Sequence, residues 1–456
     1  MLTQLQAENF KSWQNTGNMR LASLTGLFGT NSSGKTAIIQ LLLMLKQTVE
    51  SADRQRIIHT GGDKQAYVDL GTLDDIVYQH ILPNEIQLSL DWNLPKPLKI
   101  KDPEGKLEIL FSIDALSFST IIEVTADSIA VKKFTYGFFS KGKKYLFGME
   151  RQGQKKYSLL QEGYQLSPSA DQNRDLPPPV KTYGFPSQLN AYYQNTGFLS
   201  DIVFAFDNLF QNRIYYLGPL RDYPQRSYIW SGEEPQDVGR RGELAIPALL
   251  AARKSNKTIS RGKGHPHQTI EECVATWLRE LGLIHDFQLK PIAEDRKEYE
   301  VRVRCSPNAP EVLITDVGFG VSQILPVLVL CYYAKPGATI ILEQPEIHLH
   351  PSAQAGLADI FIDAIKTRNV QIIVESHSEH LLRRLQRRIA EEKAGFTHQD
   401  AALYFCNTDD AGTSHKTSLE LDSFGNINNW PEGFFGDEMG ELLAMTEAAI
   451  KRQQNI

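Results

Sequence analysis

An α/β fold, with a mixed sheet flanked by helices, an antiparallel β-subdomain and an inserted helical arm, is predicted by three observations. A glycine-rich segment, Gly29-Thr-Asn-Ser-Ser-Gly34-Lys35-Thr36, lies between the apolar run 24–28 and the apolar-periodic stretch 37–45. Residues 65–147 are rich in short alternations, such as Glu85-Ile-Gln-Leu-Ser-Leu-Asp-Trp and Leu107-Glu-Ile-Leu-Phe-Ser-Ile. That is the pattern of antiparallel strands with one face buried. A second buried-strand run, 338–342, ends in Glu343 far down the chain.

Taken in order, residues 2–10 alternate like a strand and Thr16-Gly17-Asn18 is turn chemistry, so the chain opens on a hairpin that feeds the glycine loop and its helix. Leu176-Pro-Pro-Pro-Val, with the polar stretch before it, marks a boundary, and 187–212 reads as helical. An amphipathic helix is expected over 268–283, a strand over 299–304 and an apolar helix over 322–333. Four units follow: 1–165 and 266–400 as the two halves of one head, 166–265 as an inserted arm, and 401–456 as a small C-terminal domain.

Composition narrows the class. The chain has 456 residues, 41% hydrophobic and 22% charged, with a net charge of −6, as in ordinary globular proteins. A globally basic nucleic-acid binder is excluded, so any such surface must be a local patch. Met1-Leu-Thr-Gln-Leu-Gln has neither the basic nor the apolar region of a signal peptide, and no apolar run approaches the ~18 residues of a bilayer span. A cytoplasmic protein without membrane contact is expected. Cys273, Cys305, Cys331 and Cys406 are isolated, which supports neither a disulfide framework nor a zinc site.

The glycine segment fits G-x-x-x-x-G-K-[ST] in the strand–loop–helix context that the motif requires. Its chemistry is phosphate binding: backbone N–H groups of Gly29, Asn31, Ser32, Ser33 and Gly34 curl around phosphate oxygens and the helix N-terminus adds its dipole. Lys35 reaches the β- and γ-phosphates, and the Thr36 hydroxyl holds Mg²⁺. ATP and Mg²⁺ are therefore the expected ligands. Glu343, at the C-terminal end of its strand, is the expected carboxylate of the metal site.

Four stretches resemble the ABC-type ATPases of the SMC, RecF and OLD class, often found as AAA-like ATPases in phage-defence loci. They are Leu5-Gln-Ala-Glu-Asn-Phe-Lys-Ser12, Asp316-Val-Gly-Phe-Gly-Val-Ser-Gln323, Glu343-Gln-Pro-Glu-Ile-His-Leu-His-Pro351 and Val374-Glu-Ser-His-Ser378. The segment 425–435 is similar to a C-terminal domain of unknown function carried by a subset of them. The resemblance implies that Gly318, Gly320, Ser322 and Gln323 form a signature loop that binds the γ-phosphate of ATP held by a second subunit, although the segment is not a literal L-S-G-G-Q. It also implies that His377 contacts the γ-phosphate. Where the class carries a water-activating glutamate, this chain has Gln344, which can orient water but cannot take its proton. Slow hydrolysis is expected, with Glu346 as the candidate compensating base.

Other residues carry weaker signals. His348 and His350 lack a third metal ligand and are assigned to an interface loop. Gln65 and Gln79 are alternative candidates for a glutamine that couples nucleotide to insert. Arg221, Arg240 and Arg241 lie in loops that suit either phosphate contact or plain solvation. Two basic faces are candidates for nucleic acid: Lys132, Lys133, Lys141, Lys143, Lys144, Arg151, Lys155 and Lys156 among aromatic residues, and Arg383, Arg384, Arg387 and Arg388 on a helix. No nuclease constellation is evident. The expected function is an ATPase that forms a homodimer or higher oligomer around ATP and regulates a separately encoded effector in antiphage defence. The alternative is a RecF- or SMC-like DNA-repair or DNA-end-processing ATPase.

Overall fold

The computed structural model describes the chain outside residues 65, 103–107, 154, 170–174, 261–265, 432–433, 437 and 455–456. A six-stranded sheet lies at its centre, in the order Ile214–Leu217, Thr339–Glu343, Gln371–Glu375, Leu24–Gly29, Ala401–Thr408, Ser414–Ser418. The first five strands are parallel, and the last returns antiparallel.

Strand side chains alternate between faces, so one apolar run feeds two cores. Leu24, Phe28, Leu217, Ile340, Leu342, Ile372, Val374, Leu403 and Phe405 face one core, shared with helices Ala245–Lys254, Ile270–Glu280, Phe319–Tyr333, Pro351–Arg368 and Glu379–Ala390. Leu27, Tyr216, Ile341, Ile373, Tyr404 and Cys406 face the other, with helices Lys35–Glu50 and Gly197–Asn212. Beyond those two helices lies the antiparallel sheet, built from Trp13–Asn15, Leu2–Phe10, Asn84–Lys101, Ile109–Val124, Ile129–Ser140, Lys143–Arg151 and Tyr157–Glu162 in that spatial order. The α/β architecture expected from sequence, a mixed sheet between helices with an antiparallel β-subdomain, is what the chain forms.

Two expected boundaries do not coincide with breaks in packing. Much of 166–265, read as an inserted arm, lies inside the head: Phe206 and Phe210 of helix Gly197–Asn212 are fully buried, and Phe206 packs on Phe118 and Trp92 at ring distances of 4.7 and 5.9 Å. Its apolar face has found a partner in the β-subdomain, and Ile214–Leu217 then forms the edge of the central sheet. Residues 401–418, expected to open a separate domain, supply the last two strands, because the buried run 401–406 pairs directly with the strand preceding the glycine loop. Segment 187–212 is broken at Asn195, which takes a left-handed φ of 60° between two helices. Among the described residues no helix is long and apolar enough to cross a membrane.

Candidate functional site

The glycine loop leaves the sheet at Gly29 and enters its helix at Gly34, both at positive φ (134° and 84°). A Cβ at Gly29 would strike the Cys406 carbonyl, and one at Gly34 would strike the Ser414 hydroxyl and the Trp13 indole. The strand pair 401–418 therefore presses on the loop from behind. It also holds the loop through hydrogen bonds, Thr408 Oγ1 donating to the Ser32 carbonyl (3.2 Å) and Ser414 Oγ to Ser12 Oγ (2.7 Å). Trp13 Nε1 donates to the Gly34 carbonyl at 2.9 Å. Phe28, on the strand before the loop, meets Phe434 and Phe435 edge to face at 6.1 and 6.5 Å.

A cleft of about 950 Å³ opens at the C-terminal ends of the parallel strands, where α/β sheets bind their ligands. Asn31, Ser32, Ser33, Gly34, Lys35 and Thr36 form its floor, Gln344, Glu375 and His377 one wall, and 69–80 the other. Lys35 is buried, and its Nζ donates to the carbonyls of Gly29 (3.2 Å) and Thr30 (2.6 Å) and to Ser33 Oγ (3.2 Å). Burial holds its pKa below the ordinary lysine range, with Glu375 opposing. Gln79 lines the cleft at a left-handed φ of 52°. Gln65, the alternative to it, lies outside the described residues.

The acidic residues are arranged differently from expectation. Thr36 Oγ1 donates to both carboxylate oxygens of Glu375, at 2.9 and 3.1 Å. Glu343, expected as the metal carboxylate, instead accepts the Tyr216 hydroxyl at 2.9 Å and is buried behind Gln344. Burial, followed by repulsion from Glu375, pushes the Glu343 carboxyl up to about 7. Hard oxygen donors on Thr36 and Glu375, facing the loop, fit a magnesium ion. Gln344 stands in the cleft wall at a left-handed φ of 43°, its N–H donating to the Glu375 carbonyl at 2.8 Å.

Glu346 does not reach the cleft. It is buried, and its Oε1 accepts the Ser376 hydroxyl (2.8 Å) and the His377 backbone N–H (2.6 Å). A carboxylate committed in this way anchors the loop after the strand and is badly placed as a compensating base. His377 itself lines the cleft; burial and then Lys35 lower its pKa, while a hydrogen bond to the Gly29 backbone works against them. The imidazole is therefore held toward its neutral form.

The signature segment begins its helix at Phe319, earlier than expected, with Gly318 at the N-cap. Ser322 Oγ turns back to the Phe319 carbonyl (2.8 Å) and Gln323 is buried, so neither side chain points outward. What the segment presents is backbone: a Cβ at Gly318 would meet nothing within 4 Å, and no side chain caps this terminus.

The arginine candidates are committed to the chain. Arg221 is buried, donates to the Glu343 carbonyl (3.2 Å) and is lowered by burial to about 10. Arg240 donates to the Lys64 carbonyl (2.8 Å), and Arg241 pairs with Asp222 (2.7 Å). The basic helix is paired throughout its four arginines. Arg384 and Arg388 both meet Asp359 at 2.5 Å, Arg383 meets Glu379 and Arg387 meets Glu391. The hairpin is paired in part: Lys132 meets Glu85, Lys133 Glu150 and Arg151 Glu123, whereas Lys141 and Lys143 donate to the Ile109 and Gly163 carbonyls, and Phe134, Tyr136 and Phe138 are buried. His348 packs its ring against Phe319 at 5.1 Å.

Sequence reasoning gave Glu375 and Tyr216 no role. The signal for Glu375 was visible: a carboxylate ending an otherwise apolar strand, as Glu343 does.

Residues 254–382 match an AAA ATPase domain family (AAA_15), and residues 396–445 match a family of proteins of unknown function, DUF3696. No curated protein matches the chain. Among solved structures it is similar to an SMC head bound to the C-winged helix domain of ScpA, with 12% identity, a TM-score of 0.46 and coverage of 92% of this chain and 98% of that one. The SMC head domain from Thermotoga maritima gives 11% identity, a TM-score of 0.40 and coverage of 92% and 99%. An SMC head from Pyrococcus furiosus, with an extended coiled coil and bound to the C-terminal domain of ScpA, gives 9%, 0.41, and 92% and 96%.

Proposed function

We propose that this chain is an ABC-type ATPase that binds Mg²⁺-ATP in the glycine-loop cleft, closes there against a second copy and turns ATP over slowly. One observation carries the reading: Lys35, Thr36, Gln344, Glu375 and His377 line a single cleft at the C-terminal ends of the parallel strands. A divalent cation held by Thr36 and Glu375 would supply positive charge against the phosphates. Lys35 exchanges its bonds to the loop carbonyls for phosphate oxygens, and the loop N–H groups converge on the same anion. Gln344 orients the attacking water through its amide but cannot remove the proton, which limits the rate. His377, held toward the neutral form, donates to the γ-phosphate and registers its loss.

The second copy would bring the N-terminus of its helix Phe319–Tyr333, whose uncapped N–H groups and dipole suit the γ-phosphate. A site that holds ATP longer than it hydrolyses it suits a nucleotide-gated regulator. With the resemblance to phage-defence ATPases, this favours control of a separately encoded effector. The DNA-directed alternative draws less support, because Arg383, Arg384, Arg387 and Arg388 of the basic helix are all paired with neighbouring carboxylates. The test is mass-resolved size exclusion with and without Mg²⁺-ATP, alongside steady-state turnover. ATP-dependent doubling of mass, lost in Lys35→Ala, is expected; an unchanged mass together with DNA-stimulated, salt-sensitive turnover would overturn the reading in favour of the alternative.

A further inference from the structure

We propose that Glu375, rather than Glu343, is the carboxylate that holds the divalent cation of this cleft, an inference that rests on the nucleotide-binding reading above. In the parallel register Glu343 is paired with Glu375, so the two acids leave the sheet at the same level on neighbouring strands. They differ in distance from the glycine loop. The strand Gln371–Glu375 lies next to Leu24–Gly29, and Thr339–Glu343 lies one strand further out, where adjacent strands are ~4.8 Å apart.

The side chains follow that order. Both oxygens of Glu375 lie within 3.1 Å of the Thr36 hydroxyl, the group through which glycine-loop sites hold Mg²⁺. Glu343 has no such contact. Its Oε1 is taken by the Tyr216 hydroxyl, and Tyr216 is buried on the edge strand, so freeing Glu343 would strand a buried phenol. Glu375 lines the cleft with Gln344 and His377, whereas Glu343 is not among the lining residues. The 2.9 Å between Thr36 Oγ1 and Glu375 is also close to the ~3.0 Å edge of an octahedron with 2.0–2.1 Å arms, the coordination magnesium demands. The two oxygens need little movement to serve as neighbouring ligands.

This assignment also gives Gln344 a context. An amide at 344 leaves Glu375 as the acid of the cleft wall, so a second carboxylate there would place like charges around one ion. Glu343 then acts from behind as a positioning residue, fixing Tyr216 and, through its carbonyl, Arg221.

The experiment is binding of a fluorescent ATP analogue to the full chain, with and without Mg²⁺, paired with electron paramagnetic resonance of Mn²⁺ bound in the same cleft. Wild type should bind more tightly by about tenfold or more when Mg²⁺ is present. E375Q should lose that gain and release Mn²⁺, while keeping metal-free nucleotide binding and a normal melting profile. E343Q should keep the gain to within about threefold. E375D, whose carboxylate sits one methylene further back, should keep part of it, and this variant carries the test if E375Q does not fold. Loss of the gain in E343Q, alone or together with E375Q, would overturn the assignment. Failure of wild type to bind nucleotide under either condition would instead overturn the nucleotide-binding reading itself.

Discussion

Glu346 accepts the backbone N–H of His377 at 2.6 Å, and in doing so ties the acidic loop to the loop after the neighbouring strand. The same oxygen takes the Ser376 hydroxyl, while Oε2 is buried without a protein partner. Burial raises the carboxyl, and the bonds from His377 and Ser376 oppose that rise. Glu346→Ala should therefore destabilise the fold by about 1–3 kcal/mol by leaving two buried donors unmatched, and should lower turnover by loosening His377. Denaturant melts and steady-state kinetics check both. Turnover that is abolished with no loss of stability would point to direct chemistry by Glu346 instead.

Gln344→Glu tests the missing base. With a carboxylate at this point of the cleft wall, turnover should rise by about 10²-fold, the low end of what a positioned base contributes. The gain should come at some cost in metal-free stability, because Glu375 and Glu343 are close by. An unchanged rate would mean that hydrolysis is limited elsewhere.

Stability should depend on pH through Glu343. Its carboxyl is raised from 4.5 to about 7 by burial and by Glu375, so between those values the folded chain holds a proton that the unfolded chain has released. With more protons on the native state, stability falls as pH rises through this window, by up to about 3 kcal/mol. Melting temperatures of the metal-free protein across pH 4.5 to 7 measure the slope, and Glu343→Gln should flatten it. A rise in stability with pH that is unchanged in the variant would show that Glu343 is not responsible.

The aromatic cluster behind the loop offers a remote handle. Phe434 packs on Phe28, Phe405, Trp430 and Phe435, and Phe28 lies on the strand that ends at the glycine loop. Phe434→Ala should cost about 3–5 kcal/mol, the usual figure for a buried phenylalanine, and should weaken nucleotide binding although residue 434 does not line the cleft. Calorimetric titration with ATP checks the second effect. Unaltered affinity would show that the tail does not set the shape of the loop.

Much of this arrangement is legible in the residues. The glycine loop, the buried strands 338–342 and 370–374, and the alternating β-subdomain follow from period and punctuation, and the cleft gathers Lys35, Thr36, Gln344 and His377 as their motifs imply. What the sequence does not display is strand order. Without it, Glu343 and Glu375 are equivalent acids at the ends of apolar strands, and only adjacency to Leu24–Gly29 separates them. Strand order also decides the segments 197–254 and 401–418. An amphipathic helix shows that it needs a partner, but not that the partner is the β-subdomain. Ser322 misleads for a related reason: a hydroxyl in the first turn of a helix can serve its own backbone as readily as a ligand.

The strand that carries the glycine loop sits between Gln371–Glu375 and Ala401–Thr408. During synthesis it emerges early, yet both of its neighbours emerge late, so most of the chain must leave the ribosome before the loop acquires its shape. Contacts of such long sequence separation form slowly and leave apolar strand edges exposed in the interim. A nascent or truncated chain ending before Gln371 would carry the whole phosphate-binding motif without either of the strands that flank it, and so should be blind to ATP. Competence to bind nucleotide thus reports that the far end of the chain has arrived and docked.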